Sequence, residues 1–136
     1  MSTVLLIGAS NNPSRYSKWA MSSLLSAGHR VIPLNPYSEI TTIEPTVYHL
    51  SQVRERIDIA VVYVRPELLK PELAELIRIA PVSVIFNPGA ESIEMKKELE
   101  RNGIRARDAC TLVLLSTGQF DSVLLVLCQA IAVVFC

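Results

Sequence analysis

The stretch Val4-Leu5-Leu6-Ile7-Gly8-Ala9-Ser10-Asn11-Asn12-Pro13 determines how the rest of this chain is read. Four consecutive apolar residues without polar alternation suit a strand buried on both faces, as in a parallel sheet. A loop of small residues follows. Asn12 then takes the place of a helix N-cap and Pro13 that of a first helical residue, positions these two types favour. Trp19, Ala20, Ser23, Leu24 and Ala27 recur at helical spacing. Gly28 closes the helix at the position that prefers a left-handed backbone. Strand, loop and helix in this order open a βαβ crossover.

The pattern repeats down the chain. His29–Leu34 is expected as the second strand, with Pro33 near its end or on a weakly paired side because proline has no ladder donor. Residues 35–46 read as loop, Val47-Tyr48 as a short third strand and Leu50–Arg56 as a short helix. Ile57–Val64, nearly all apolar and β-branched, is a strand covered on both faces. Arg65-Pro66 opens a helical segment that restarts at Pro71, with Leu73, Leu76, Ile77 and Ala80 as its apolar stripe. Val82–Phe86 is a further buried strand. A charged helix from Glu91 to Asn102 turns Ile93, Met95 and Leu99 inward, and Gly103 ends it. Ile104–Arg107 is a short strand and Cys110–Leu115 a last apolar run. The fold class is therefore α/β, a Rossmann-like three-layer domain with a mostly parallel sheet.

Composition narrows the function. With 136 residues, half of them hydrophobic, the chain makes one packed domain, here residues 1–120, followed by an apolar tail, 121–136. Thirteen basic residues balance thirteen acidic ones and no basic run stands out, which argues against nucleic acid as a partner. Before the first apolar run there is no basic region of the kind that opens a signal peptide. The three cysteines, Cys110, Cys128 and Cys136, lack metal-ligand spacing. No metal site is expected, and buried thiols fit a cytoplasmic protein. Val123 to Cys136 contains one polar residue, Gln129, and falls short of the roughly 20 residues of a membrane-crossing helix. Being apolar all round, it is expected to pack against the sheet's open side or a second copy, giving a homo-oligomer. The competing account makes it a segment foreign to the domain.

In an open parallel sheet, ligands bind beyond the carboxyl ends of the strands, where the strand order reverses. For an order of the 3-2-1-4-5 kind, that point lies between the first strand and Ile57–Val64. The loops meeting there are Gly8–Pro13 and Val64-Arg65-Pro66, flanked by Asn35-Pro36 and Asn87-Pro88-Gly89. Gly8 permits a sharp turn, Ser10 supplies a hydroxyl, and the free amides at the helix start attract an anion. Arg15 and Ser17 lie within reach of a phosphate. The same loop is also ordinary βα turn chemistry, with Arg15 a solvated charge. Two nucleotide signatures are missing. The dinucleotide fingerprint needs three glycines where this loop has only Gly8, and the second strand ends in Asn35 where NAD enzymes place a ribose-binding acid. No GK[ST] sequence is present for a nucleoside triphosphate.

Val4-Leu5-Leu6-Ile7-Gly8-Ala9-Ser10 with Pro13, Arg15 and Ser17, followed by Val31-Ile32-Pro33-Leu34-Asn35-Pro36, resembles the small bacterial CoA-binding domain proteins. These are similar to the nucleotide-binding domain of the succinyl-CoA synthetase α subunit. Ile57-Asp58-Ile59-Ala60-Val61-Val62, Asn87-Pro88-Gly89 and Gly103-Ile104 extend the match over about residues 3 to 120. The resemblance implies a Rossmann-like fold that binds coenzyme A or an acyl-CoA. It assigns the diphosphate to Gly8, Ala9, Ser10 and Arg15, the border of the adenosine to Asn35 and Pro36, and the opposite wall to Val64, Arg65 and Pro66. Members commonly carry a Lys after the Asn-Pro pair. This chain has Tyr37-Ser38 there, so Tyr37 is placed to stack on the base, and how the 3′-phosphate is held stays open.

No residue stands out as catalytic. His29 begins a strand, at the far end of the sheet from the crevice, and His49 lies in a loop outside the matched segments. Cys110, ahead of Thr111-Leu112-Val113-Leu114, reads as a buried inert thiol. A non-catalytic binding module (sensor, carrier or accessory subunit) is the expected function. The alternative is a small enzyme or enzyme subunit acting on a phosphorylated or CoA-linked substrate.

Overall fold

A computed structural model describes residues 1–10, 12–35 and 47–122. Five strands, β1 (Thr3–Ile7), β2 (Arg30–Leu34), β3 (Ile59–Val62), β4 (Ser83–Phe86) and β5 (Arg105–Asp108), form one sheet in the order β2-β1-β3-β4-β5. Every pairing is parallel. The expected third strand is a single bridge between Leu34 and Val47, outside β2. Counting it as a sixth position gives the order 3-2-1-4-5-6, of the expected kind, with the reversal between β1 and β3. Pro33 sits in β2, beside that bridge at one edge of the sheet, where a missing donor costs little.

Side-chain alternation along the strands builds two cores. Leu5, Ile7, Ile32, Ala60, Val62, Val84 and Phe86 face one side, where Leu69, Leu76, Met95 and Leu99 cover them. These come from α2 (Pro66–Leu69), α3 (Leu73–Ile79) and α4 (Ile93–Arg101). Val4, Leu6, Val31, Ile59, Val61 and Ile85 face the other side, against Met21, Leu24 and Leu114 of α1 (Tyr16–Ser26) and α5 (Thr111–Ser116). Both faces of a parallel sheet are thus buried, as the unbroken apolar runs required. The result is a three-layer Rossmann-like domain.

Several local expectations shift. α1 begins at Tyr16, four residues after the expected cap, because the Asn12 side chain is used in a turn. Its Oδ1 accepts from the Ser14 amide at 3.0 Å and the Ser14 hydroxyl at 2.7 Å. The buried face of α1 is Ser17, Ala20, Met21 and Leu24, whereas Trp19 is 52% exposed and donates its indole N–H to the Pro13 carbonyl. Gly28, at φ +86°, follows the helix as expected. The His29 amide reaches back to the Leu24 carbonyl and the Gly28 amide to that of Leu25, satisfying two orphan acceptors.

On the other face, Ala80 does not join the α3 stripe. It caps the helix in a left-handed conformation, φ +51°. Ile93 is 69% exposed, and the inward pair of α4 is Met95 and Leu99. The short helix expected over Leu50–Arg56 is a single 3-10 turn, Leu50–Gln52. The tail from Val123 and the oligomer expected through it lie outside the described residues. No helix among the described residues is long and apolar enough to cross a membrane.

Candidate functional site

At the carboxyl ends of β1 and β3 a cleft of about 610 Å³ opens between the Gly8 loop, the start of α1 and the start of α2. Its lining includes Gly8, Ser10, Arg15, Ser17, Asn35, Val64, Arg65 and Pro88 of the expected residues, joined by Tyr16, Tyr63 and Leu68. The topological switch point is what brings these separate loops together. Pro66 begins α2 and Gly89 follows Pro88, but neither lines the cleft. Pro36 and Tyr37 lie outside the described residues.

Gly8 adopts φ +97°, and a Cβ there would lie 2.9 Å from Val64 Cγ1 and 3.3 Å from the Tyr63 carbonyl carbon. Its lack of a side chain thus lets β1 and the β3 loop close on one another, in addition to opening the turn. The amides of Gly8 and Ala9 both donate to the Leu34 carbonyl, at 2.9 and 3.1 Å. They tie the loop to β2 and are already used. Asn35 Nδ2 donates to the Ala9 carbonyl at 2.6 Å, which fastens the loop from the other side. Ser10 Oγ accepts from the Asn12 amide at 3.0 Å.

The donors left for an anion lie at the start of α1. The Tyr16 and Ser17 amides have no backbone acceptor among the described residues, as helix geometry dictates for a first turn. Arg15 precedes them as the N-cap. Arg15 and Arg65 are both exposed and, among the described residues, take part in no ion pair. Several cations elsewhere are matched: Arg30 with Glu55 at 2.6 Å, Arg101 with Glu98 at 2.6 Å, Lys96 with Asp108 at 2.7 Å. Among the described residues no carboxylate lines the cleft. Guanidiniums and helix-start amides are the kinds of group that attract anions.

A second cleft, of about 270 Å³, adjoins the first, and Val64 and Leu68 line both. Ile7, Leu34, Leu69 and Pro71 make it mostly apolar, while His49, Glu67 and Glu72 supply its polar groups. His49 Nδ1 stands 4.0 Å from Glu72 Oε1. Composition gave no hint of this cleft, because its walls come from four separate segments.

Asn87 proves to be a brace. It is fully buried, its Nδ2 donates to the Val62 carbonyl at 3.1 Å and its Oδ1 accepts from the Thr111 amide at 2.8 Å. It fixes the start of α5 to the end of β3, with its side chain turned away from the cleft. Tyr63, which the sequence reading passed over, is among the residues lining the cleft, and its hydroxyl is buried. That hydroxyl and Thr111 Oγ1 approach each other without forming a well-aligned hydrogen bond. Burial pushes the Tyr63 phenol up to about 12; proximity to Thr111 opposes this and the Cys110 thiol adds to it. His29 is buried at the opposite end of the sheet, where Nδ1 accepts from the Ser2 amide at 3.1 Å and the ring packs edge-on to Phe120.

The family model of a CoA binding domain matches residues 2–116. The chain is similar to an uncharacterized protein of known crystal structure, 33% identical, with a TM-score of 0.77 over 88% of this chain and 98% of the other. It is also similar to a conserved hypothetical protein from Pyrococcus furiosus, 30% identical, with a TM-score of 0.73 over 83% of this chain and 98% of that one. The dinucleotide-forming acetyl-coenzyme A synthetase 1 of Ca. Korarchaeum cryptofilum, solved with phosphate and ADP, shares the fold. Its identity is 21% and its TM-score 0.64, over 77% of this chain and 25% of the synthetase. No curated protein matches the chain.

Proposed function

Because this chain belongs to the CoA-binding domain family, we propose that it binds coenzyme A or an acyl-CoA as a non-catalytic module, a sensor, carrier or accessory subunit. The observation that carries this reading is the pair of guanidiniums without ion-pair partners, Arg15 and Arg65, in a cleft at the start of α1 that no carboxylate lines among the described residues. The diphosphate sits against the free Tyr16 and Ser17 amides and Arg15, held by charge-assisted hydrogen bonds in the low-dielectric cleft. The adenine enters the adjoining apolar cleft between Leu34 and Val64, where Glu67 or Glu72 accepts from its exocyclic amine. Ser10 and Pro88 line the side along which the pantetheine arm leaves.

The chemistry of the lining supports binding over turnover. It offers donors, cations and apolar surface, the groups that hold and orient a ligand. A carboxylate at Asn35 would hold a ribose diol and repel a 3′-phosphate, and the side chain there is an amide that ties down the loop. Native mass spectrometry of the protein mixed with equal concentrations of coenzyme A and NAD tests the reading. One coenzyme A per chain is expected. A spectrum carrying NAD in preference would reverse it.

A further inference from the structure

The order of groups along coenzyme A constrains where each must lie. The ribose joins the purine at C1′ to the diphosphate at C5′, and the 3′-phosphomonoester branches from it, so the monoester leaves the molecule at the junction of base and diphosphate. In the protein the apolar cleft and the phosphate cleft meet at Val64 and Leu68, which line both. Arg65 follows Val64 directly and lines the phosphate cleft at that junction. It is exposed and has no ion-pair partner among the described residues. Arg15, the other guanidinium lining this cleft, belongs to the start of α1, where the diphosphate is placed. The apolar cleft carries Glu67 and Glu72, which exclude a dianion from it.

We infer that Arg65 recognises the 3′-phosphate of the ligand, a role that rests on the coenzyme A reading. A phosphomonoester carries between one and two negative charges at neutral pH and presents a fork of oxygens. The planar guanidinium matches that fork with two parallel N–H donors, which an ammonium does not. Arg65 therefore selects coenzyme A over dephospho-coenzyme A, whereas Arg15 serves the diphosphate that both molecules share.

Calorimetry of the full chain at constant low ionic strength, against coenzyme A and dephospho-coenzyme A, tests this division of labour. The unaltered protein is expected to prefer coenzyme A by about tenfold or more, the usual value of a charge-assisted contact. Arg65→Ala removes that preference and leaves the affinity for dephospho-coenzyme A nearly unchanged. Arg65→Lys keeps part of the preference, and Arg15→Ala weakens both ligands alike. An unaltered protein that binds both equally, or an Arg65→Ala protein that keeps the full preference, overturns the inference while the coenzyme A reading stands. Binding of neither molecule overturns that reading and the inference with it.

Discussion

Gly8 and Val64 stand so close that a Cβ on Gly8 would lie 2.9 Å from Val64 Cγ1. The contact joins the two loops that form the switch point, and the phosphate cleft keeps its shape through it. Gly8 also holds φ +97°, a region that a residue with a side chain enters at a cost. Gly8→Ala is therefore expected to lower stability by about 1 to 3 kcal/mol, strain and overlap together. Chemical denaturation measures it; a loss below the error of the method would mean that the loops separate freely.

Asn87 carries two buried hydrogen bonds, to the Val62 carbonyl and from the Thr111 amide. Asn87→Leu leaves the Thr111 amide without a partner inside the protein, whereas the Val62 carbonyl keeps the Asn87 backbone amide as a donor. The expected cost is about 1 to 3 kcal/mol, the desolvation penalty of one abandoned group. Equilibrium unfolding in urea gives the value. Amide exchange at Thr111, fast in the variant and slow in the parent, locates it.

Burial raises the Tyr63 phenol to about 12 from an ordinary 10, so the folded state holds its proton where the unfolded chain has released it. Stability is unaffected by this group below pH 10 and falls as pH rises from 10 towards 12. Tyr63→Phe removes the group and should flatten that part of the pH–stability curve. Near neutral pH the same change should alter stability by no more than about 1 kcal/mol, because the lost hydroxyl has no well-formed hydrogen bond. Thermal melts of both proteins across the alkaline range make the comparison.

Much of this architecture was legible because backbone chemistry dictates it. Val4–Ile7 and Ile59–Val62 are apolar without alternation, which suits a sheet covered on both faces. Gly28, and Pro66 at the first position of α2, mark helix ends by their own dihedral limits. What stayed hidden depends on which partner each polar group finds. Asn12 has the composition of an N-cap, but Ser14 occupies its side chain and the helix starts later. Asn87, before Pro88, reads as a turn residue, and its role as a brace appears only once β3 and α5 are placed beside it. The composition of the Gly8 loop suggests free amides for an anion. That its first two amides serve the Leu34 carbonyl follows from register between β1 and β2 and not from loop composition.

Arg15 separates ligand binding from folding. Exposed and without an ion-pair partner among the described residues, it contributes little to stability, so Arg15→Ala should melt within about 0.5 kcal/mol of the parent. Its affinity for coenzyme A should fall on the order of tenfold, the loss of one charge-assisted contact. A dissociation constant unchanged at low salt would return Arg15 to the role of a solvated surface charge.

On the proposed function, the cleft between the Gly8 loop and Arg65 selects coenzyme A among adenine nucleotides. Isothermal titration calorimetry of the full chain against coenzyme A, NAD and ATP under one buffer tests it most directly. The account predicts one site per chain for coenzyme A, bound at least about tenfold more tightly than either NAD or ATP. Binding of NAD as tight as that of coenzyme A, or tighter, would contradict it.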